Sequence, residues 1–207
     1  MANQPNPAFQ PVEDTPGLPR VLLLGDSISI GYTLAVRDQL QGKANIHRPP
    51  TNCGPSSRGI EQIDDWLGDS PWDVIHFNWG LHDIVWMNED GERQNPGGGT
   101  HQVPIDRYEA NLNLLVKRLR QTGAKLTWCA TTPVPKDAVY RKPGEEVEYN
   151  LIAQRVMNTY KIPINDLYTY ALERIDEIQR PANVHFTPEG SAELAKAVVS
   201  HILNALN

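Results

Sequence analysis

A serine hydroxyl set between the end of a buried strand and the start of a helix is placed for nucleophilic chemistry, and Ser27 stands at such a junction. Val21 to Gly25 is an apolar run closed by a glycine and preceded by Pro19 and Arg20, the pattern of a buried strand. Beyond it, Ile28, Ile30, Leu34 and Leu40 begin a helical spacing. The Ser27 hydroxyl then lies at the carboxyl edge of a sheet, near the unpaired N–H groups of a helix N-terminus. A nucleophile needs that position if an anionic intermediate is to form beside it. The competing reading makes Asp26 and Ser27 helix caps and nothing more, a common use of both residue types. The residues from Val21 to Ser29 leave both readings open.

Other elements must bring partners to this turn. The pattern predicts a helix over about 28–41 and a short strand over 44–47. A turn-rich exit follows, Arg48-Pro49-Pro50-Thr51-Asn52-Cys53-Gly54-Pro55, and then a helix with Ile60, Ile63, Trp66 and Leu67 on one face. Residues 72–78 read as the third strand and run into Trp79-Gly80-Leu81-His82-Asp83. The stretch 85–104, with Gly97-Gly98-Gly99, is expected to be irregular, and long loops of this kind tend to be functional or mobile. An amphipathic helix over about 104–122 presents Leu112, Leu115, Val116 and Leu119. A fourth strand over 124–131 leads into Thr132-Pro133-Val134-Pro135. A helix at about 145–160, a short strand at 163–165 and helices at about 167–179 and 188–206 complete the chain.

Strands alternating with helices imply a three-layer α/β/α sandwich around a five-stranded parallel sheet. Ligands bind such sheets outside the carboxyl ends of the strands. The loops bearing Ser27, Gly54, His82 and Thr132 leave those ends, and His185 lies on a late loop within reach.

The 207 residues suit one domain, expected over 18–207 behind a flexible, polar and proline-rich arm at 1–17. A net charge of -6 argues against a nucleic-acid partner. No apolar run has the length of a transmembrane segment. The N-terminus lacks a signal pattern, which fits a cytoplasmic protein and equally a secreted or periplasmic one whose signal has been removed. Cys53 and Cys129 are far apart without a C-x-x-C spacing, so free, half-buried thiols are expected rather than a disulfide, zinc or redox site. There is no G-x-S-x-G, phosphate-binding glycine loop or H-E-x-x-H.

Four blocks resemble the SGNH (GDSL) hydrolase superfamily: Gly25-Asp26-Ser27-Ile28-Ser29, Asn52-Cys53-Gly54, Gly80-Leu81-His82-Asp83, and Val184-His185-Phe186-Thr187-Pro188-Glu189-Gly190. The resemblance spans nearly the whole chain, from Arg20 to Ala205, and implies a flavodoxin-like α/β fold. It also implies that Ser27 is the nucleophile, His185 its base, and the Ser27 and Gly54 N–H groups oxyanion donors. Two positions depart from it. The family has Asn where this chain has His82, and an imidazole N–H can serve as the third oxyanion donor. The family's acid, three residues before the histidine, is here Ala182. A backbone carbonyl near Ala182 can then orient His185. Asn183 is the weaker substitute, since it falls on another side of the turn if the local path is kept, and Asp83 is a third candidate.

The implied reaction is two-step acyl transfer to water without metal or cofactor. Tyr32, Trp79, Trp86 and Tyr140 are expected near the mouth of the site, where aromatic faces suit sugar rings; Trp79 and Trp86 can equally be packing anchors. A small-molecule or glycan ester is therefore the expected partner, an acetylated carbohydrate first. A lysophospholipase or thioesterase activity, or a non-catalytic carbohydrate-binding domain, are the alternatives.

Overall fold

The run Val21-Leu22-Leu23-Leu24 is sealed from solvent at every position, as a strand covered on both faces must be. In the computed structural model, which describes residues 6–207, it belongs to β1 (Arg20–Leu24). The chain continues through α1 (Ser27–Gln39), β2 (Asn45–His47), α2 (Ser56–Leu67), β3 (Val74–Phe77), β4 (Trp86–Met87) and β5 (Thr100–His101). There follow α3 (Ile105–Arg120), β6 (Lys125–Cys129), α4 (Glu145–Tyr160), β7 (Ile164–Asn165), α5 (Leu167–Leu172), α6 (Ile175–Ile178) and α7 (Pro188–Leu206).

Five strands form one parallel sheet in the order β2-β1-β3-β6-β7. Helices α1 and α7 pack together, with α7 lying along β3, β6 and β7, while α2, α3 and α4 pack side by side. The result is the expected α/β/α sandwich. Chain order reverses between β1 and β3, and a crevice opens at the carboxyl ends of strands on either side of such a reversal. The two strands are in register from Val21 beside Val74 to Leu24 beside Phe77. They therefore end level, and the Asn78 N–H donates to the Leu24 carbonyl at 3.0 Å just beyond. The loop with Ser27 and the loop with His82 leave the sheet side by side.

Two expectations about the elements are corrected. The 85–104 stretch holds an antiparallel hairpin, β4 with β5, rather than irregular chain. Glu145 at the start of α4 secures it: its Oε2 accepts the Trp86 indole N–H at 3.0 Å and lies 3.0 Å from His101 Nε2. The single helix expected over 167–179 is two short ones, α5 and α6, each packed on α7. Of the arm expected over 1–17, residues 1–5 lie outside the described residues, and within the mostly exposed 6–17 a few residues contact α1, β1 and β2. Arg37 donates to the carbonyls of Pro7 and Gln10, Asn45 exchanges hydrogen bonds with the backbone of Thr15, and Asp14 pairs with Arg20 and His47. The contacts to α1 are made through the backbone carbonyls of the arm.

Both cysteines are free and fully buried rather than half-buried. Among the described residues no helix is long and apolar enough to cross a membrane.

Candidate active site

Asp26 caps α1, its Oδ1 accepting the Ile28 N–H at 2.9 Å, and this frees Ser27, the first helical residue, from capping. Gly25 must be a glycine: a Cβ there would stand 2.8 Å from Ser29 Cβ. Buried Arg48 braces the turn from the second loop, donating to Ser29 Oγ (2.8 Å), Thr33 Oγ1 (3.0 Å) and the Gly25 and Thr51 carbonyls. Its charge is thereby matched with hydrogen-bond acceptors on every side.

The His185 loop is closed at its base by Arg180 N–H donating to the His185 carbonyl at 3.0 Å. Thr187 caps α7 through the Gly190 N–H, and Gly190 lets α7 press on the end of α6, since a Cβ would lie 2.2 Å from the Ile178 carbonyl oxygen. So held, His185 Nε2 lies 2.9 Å from Ser27 Oγ. On the far side of the ring, Nδ1 lies 2.7 Å from Asn183 Oδ1, and the same oxygen accepts the backbone N–H of His185 at 3.0 Å. A backbone N–H only donates, so it is the amide oxygen, not the NH₂, that faces the ring. Nδ1 then carries the proton and Nε2 is left to accept from Ser27.

Neither of the other orienting candidates is placed for that contact. Ala182 is exposed at the loop tip with a left-handed backbone (φ 52°), and its carbonyl makes no bond to the ring. Asp83 is fully buried, with Oδ1 accepting both the N–H and the hydroxyl of Ser56 at the start of α2. It was legible as a polar residue in a site loop, but its role is to hold α2.

Burial drives the Asp83 carboxyl up to about 7, against the hydrogen bonds from Ser56. Between pH 4 and 7, in round numbers, the folded chain then keeps a proton that the unfolded chain has lost, so stability falls as pH rises through this window. Asp83→Asn is expected to remove that slope. Thermal unfolding from pH 5 to pH 8 should show the wild type losing stability relative to the variant as pH increases, and parallel curves would refute the assignment.

His82 is half-buried and opens onto a cleft of about 590 Å³ that also borders Gly54. Burial lowers its pKa, as do the charges of Arg141, Arg93 and His185, while Asp26 raises it. His185 is lowered by burial, raised by Asp26 and lowered by Arg141 and Arg180. Both shifts favour the neutral ring, the form that a base and an N–H donor require. The Ser27 N–H has no acceptor among the described residues. The Gly54 N–H is engaged: it donates to Asn52 Oδ1 at 2.8 Å, so an oxyanion there must displace the Asn52 amide.

The aromatic residues expected at the mouth are mostly elsewhere. Trp79 is 1% exposed and packs against Phe77 and the Gly59 backbone; Tyr32 is 2% exposed in the core. Trp86 is tied to Glu145 and stacked edge-on against His101, an anchor of the hairpin. Tyr140 is half-buried, and its carbonyl accepts the Trp86 N–H. Their proximity to the site loops in sequence misled because the same loops carry the hydrophobic plugs that seal the sheet edge. Arg48, Arg93 and Arg141 were missed; lone arginines in loops carry no local signal. Among the described residues no His, Cys, Asp and Glu cluster is arranged to hold a metal ion.

No protein-family model matches the chain, and no curated protein sequence does. Solved structures do. A lipase/acylhydrolase from Enterococcus faecalis superposes with TM-score 0.73 at 17% identity, over 92% of this chain and 98% of that one. An acetyl xylan esterase gives 0.70 at 17% identity, covering 88% and 99%. An acetylxylan esterase from Geobacillus stearothermophilus gives 0.70 at 16%, covering 89% and 94%. At such identities the likeness is one of architecture, and it runs through nearly the entire chain. Strand order and these superpositions agree: the fold is the α/β/α sandwich that this chain shares with those acylhydrolase and esterase structures.

Proposed function

We propose that the protein is a serine esterase that hydrolyses short-chain esters, acetyl groups on carbohydrate first, through an acyl-enzyme on Ser27. The observation that carries this reading is the unbroken line of hydrogen bonds from Ser27 Oγ through His185 to Asn183 Oδ1. In the first step Nε2 of His185 takes the Ser27 proton as Oγ attacks the ester carbonyl. The oxyanion is held by the Ser27 N–H, by the Gly54 N–H once Asn52 is displaced, and by an imidazole N–H of His82. His185 then gives its proton to the departing alcohol, and the carbonyl re-forms as the acyl-enzyme. Water, deprotonated by His185, repeats the sequence and releases the acid.

The cleft beyond Gly54 and His82 supports a sugar: it is lined by the amides of Asn52, Gln62 and Gln102, which match hydroxyl groups. Two of the similar structures are acetylxylan esterases by name.

A serine-directed fluorophosphonate tests the reading. Mass spectrometry is expected to find the adduct on the peptide containing Ser27, with parallel release of nitrophenol from nitrophenyl acetate. A folded protein that neither takes the label at Ser27 nor turns over any acetyl ester is a binding domain and not an esterase.

A further inference from the structure

Arg141 is 7% exposed, and only its Nε is used: it donates at 2.6 Å to the carbonyl of Leu81, immediately before His82. Among the described residues neither Nη finds an acceptor, and neither is sealed from solvent. A guanidinium drawn this far out of water is ordinarily satisfied at its fork by a carboxylate or carbonyls, as Arg48 is in this chain. Arg93, exposed on the hairpin loop, borders the same cleft as His82, Gly54, Arg58 and Gln102. Glu61 is the single acid on that lining, and among the described residues neither Arg93 nor Arg58 is in an ion pair. Arg20, Arg118 and Arg174 pair with Asp14, Asp64 and Glu173, and Arg37 and Arg48, which lack a carboxylate, are met by backbone carbonyls and hydroxyls. The cations around His82 are left unmatched.

Left so, they oppose the reaction. Burial pulls the Arg141 guanidinium down to about 10, Asp26 offsets part of this, and Arg93 adds to it by direct repulsion. Arg141 also disfavours protonation of His185, and both arginines disfavour protonation of His82. Because Asn183 brings no charge to the base, nothing on its own loop compensates. A negative group bound between Arg93 and Arg141 would cancel their field just when the imidazolium must form.

We propose that the substrate's alcohol part carries a carboxylate, as an acidic sugar does, and that Arg93 and Arg141 hold it beside the scissile acetyl ester. This rests on the esterase reading above. Two planar guanidiniums fit a carboxylate by paired N–H donors: Arg93 borders the cleft, Arg141 stands next to His82 through the Leu81 carbonyl rather than on the cleft lining, and the amides of Asn52, Gln62 and Gln102 receive the sugar hydroxyls. Arg141, fixed through the Leu81 carbonyl, sets the distance from the anion to the oxyanion loop, and Arg93 closes the cleft from the hairpin.

The test compares kcat/KM for acetylated oligogalacturonate with that for the same oligosaccharide after methyl-esterification of its carboxylates, with nitrophenyl acetate run on each preparation. The wild type is expected to favour the acidic substrate by about tenfold at low salt, chiefly through KM. That preference should collapse toward one in Arg93→Gln and in about 0.5 M salt, and fall below one in Arg93→Glu. Arg141→Gln should behave like Arg93→Gln; should it fail to fold, the two Arg93 variants still decide. A wild-type ratio near one, or a tenfold ratio that persists in Arg93→Gln and Arg93→Glu, overturns the proposal while nitrophenyl acetate turnover leaves the esterase intact. Folded wild-type protein inert on nitrophenyl acetate and on both glycans overturns the esterase reading and this proposal with it.

Discussion

Replacing Ser27 with alanine is expected to lower kcat on nitrophenyl acetate by roughly 10⁵–10⁶-fold, the loss seen when the nucleophile of a unit acting in concert is removed. His185→Ala should cost about as much, and the double variant little more, because each member is useless without the other. Stability separates this from a structural role. Ser27 Oγ bonds His185 and no backbone N–H of α1, whereas Asp26 caps the helix. Ser27→Ala should therefore unfold at nearly the wild-type temperature, while Asp26→Ala should lose about 1 kcal/mol with the cap. A loss of activity below roughly 10²-fold in a folded Ser27→Ala protein would remove Ser27 from the chemistry.

The state of the base sets the pH dependence. His185 acts as a base only when neutral, and burial holds its pKa below 6.5, with Arg141 and Arg180 adding to the effect and Asp26 opposing it. The kcat/KM profile should therefore be flat through neutrality and bend down only on the acid side of 6.5. No carboxylate faces Nδ1, unlike the triads in which an acid stabilises the imidazolium. Asp26, one residue before the nucleophile, is the negative charge that raises the pKa of the ring.

What was legible in the sequence divides along physical lines. The sheet could be read because its strands are covered on both faces, and an apolar run such as Val21–Leu24 has few other uses. The hairpin at 86–101 could not, because its pairing is two residues long and its stability comes from Glu145 and Tyr149 of a distant helix. Ser27 and His185 could be singled out from turn position and motif; the aromatic residues could not be sorted into core and surface, since burial of a loop tryptophan depends on what packs over it. The sequence understates Asn183 for a physical reason. An Asn or Asp side chain commonly accepts the N–H two residues on, and this turn recurs in three site loops: Asp26 to Ile28, Asn52 to Gly54, Asn183 to His185. Reading N-x-H as such a turn would have put Oδ1 beside the His185 backbone, and from there it reaches the ring.

That turn makes Asn183 the place where a one-atom change should matter most after the nucleophile and base. An amide in place of the triad acid costs roughly 10⁴-fold in a serine protease, because its NH₂ can turn to the ring and impose the wrong tautomer. Here the His185 N–H at 3.0 Å penalises that flip, since the NH₂ would then face a donor. Asn183→Ala removes the acceptor for both N–H groups on an exposed loop, where water replaces it without fixing the ring, and kcat should fall by roughly 10²–10³-fold. Asn183→Asp keeps both hydrogen bonds and adds a charge next to Nδ1. It should raise the His185 pKa, move the acid limb of the kcat/KM profile to higher pH, and increase kcat at pH 8 by about tenfold through a better-stabilised imidazolium. The pH profile is the deciding measurement. A purely structural Asn183 would let Asp substitute without moving the limb, and an unshifted profile in an active Asn183→Asp protein would mean that something other than residue 183 faces Nδ1.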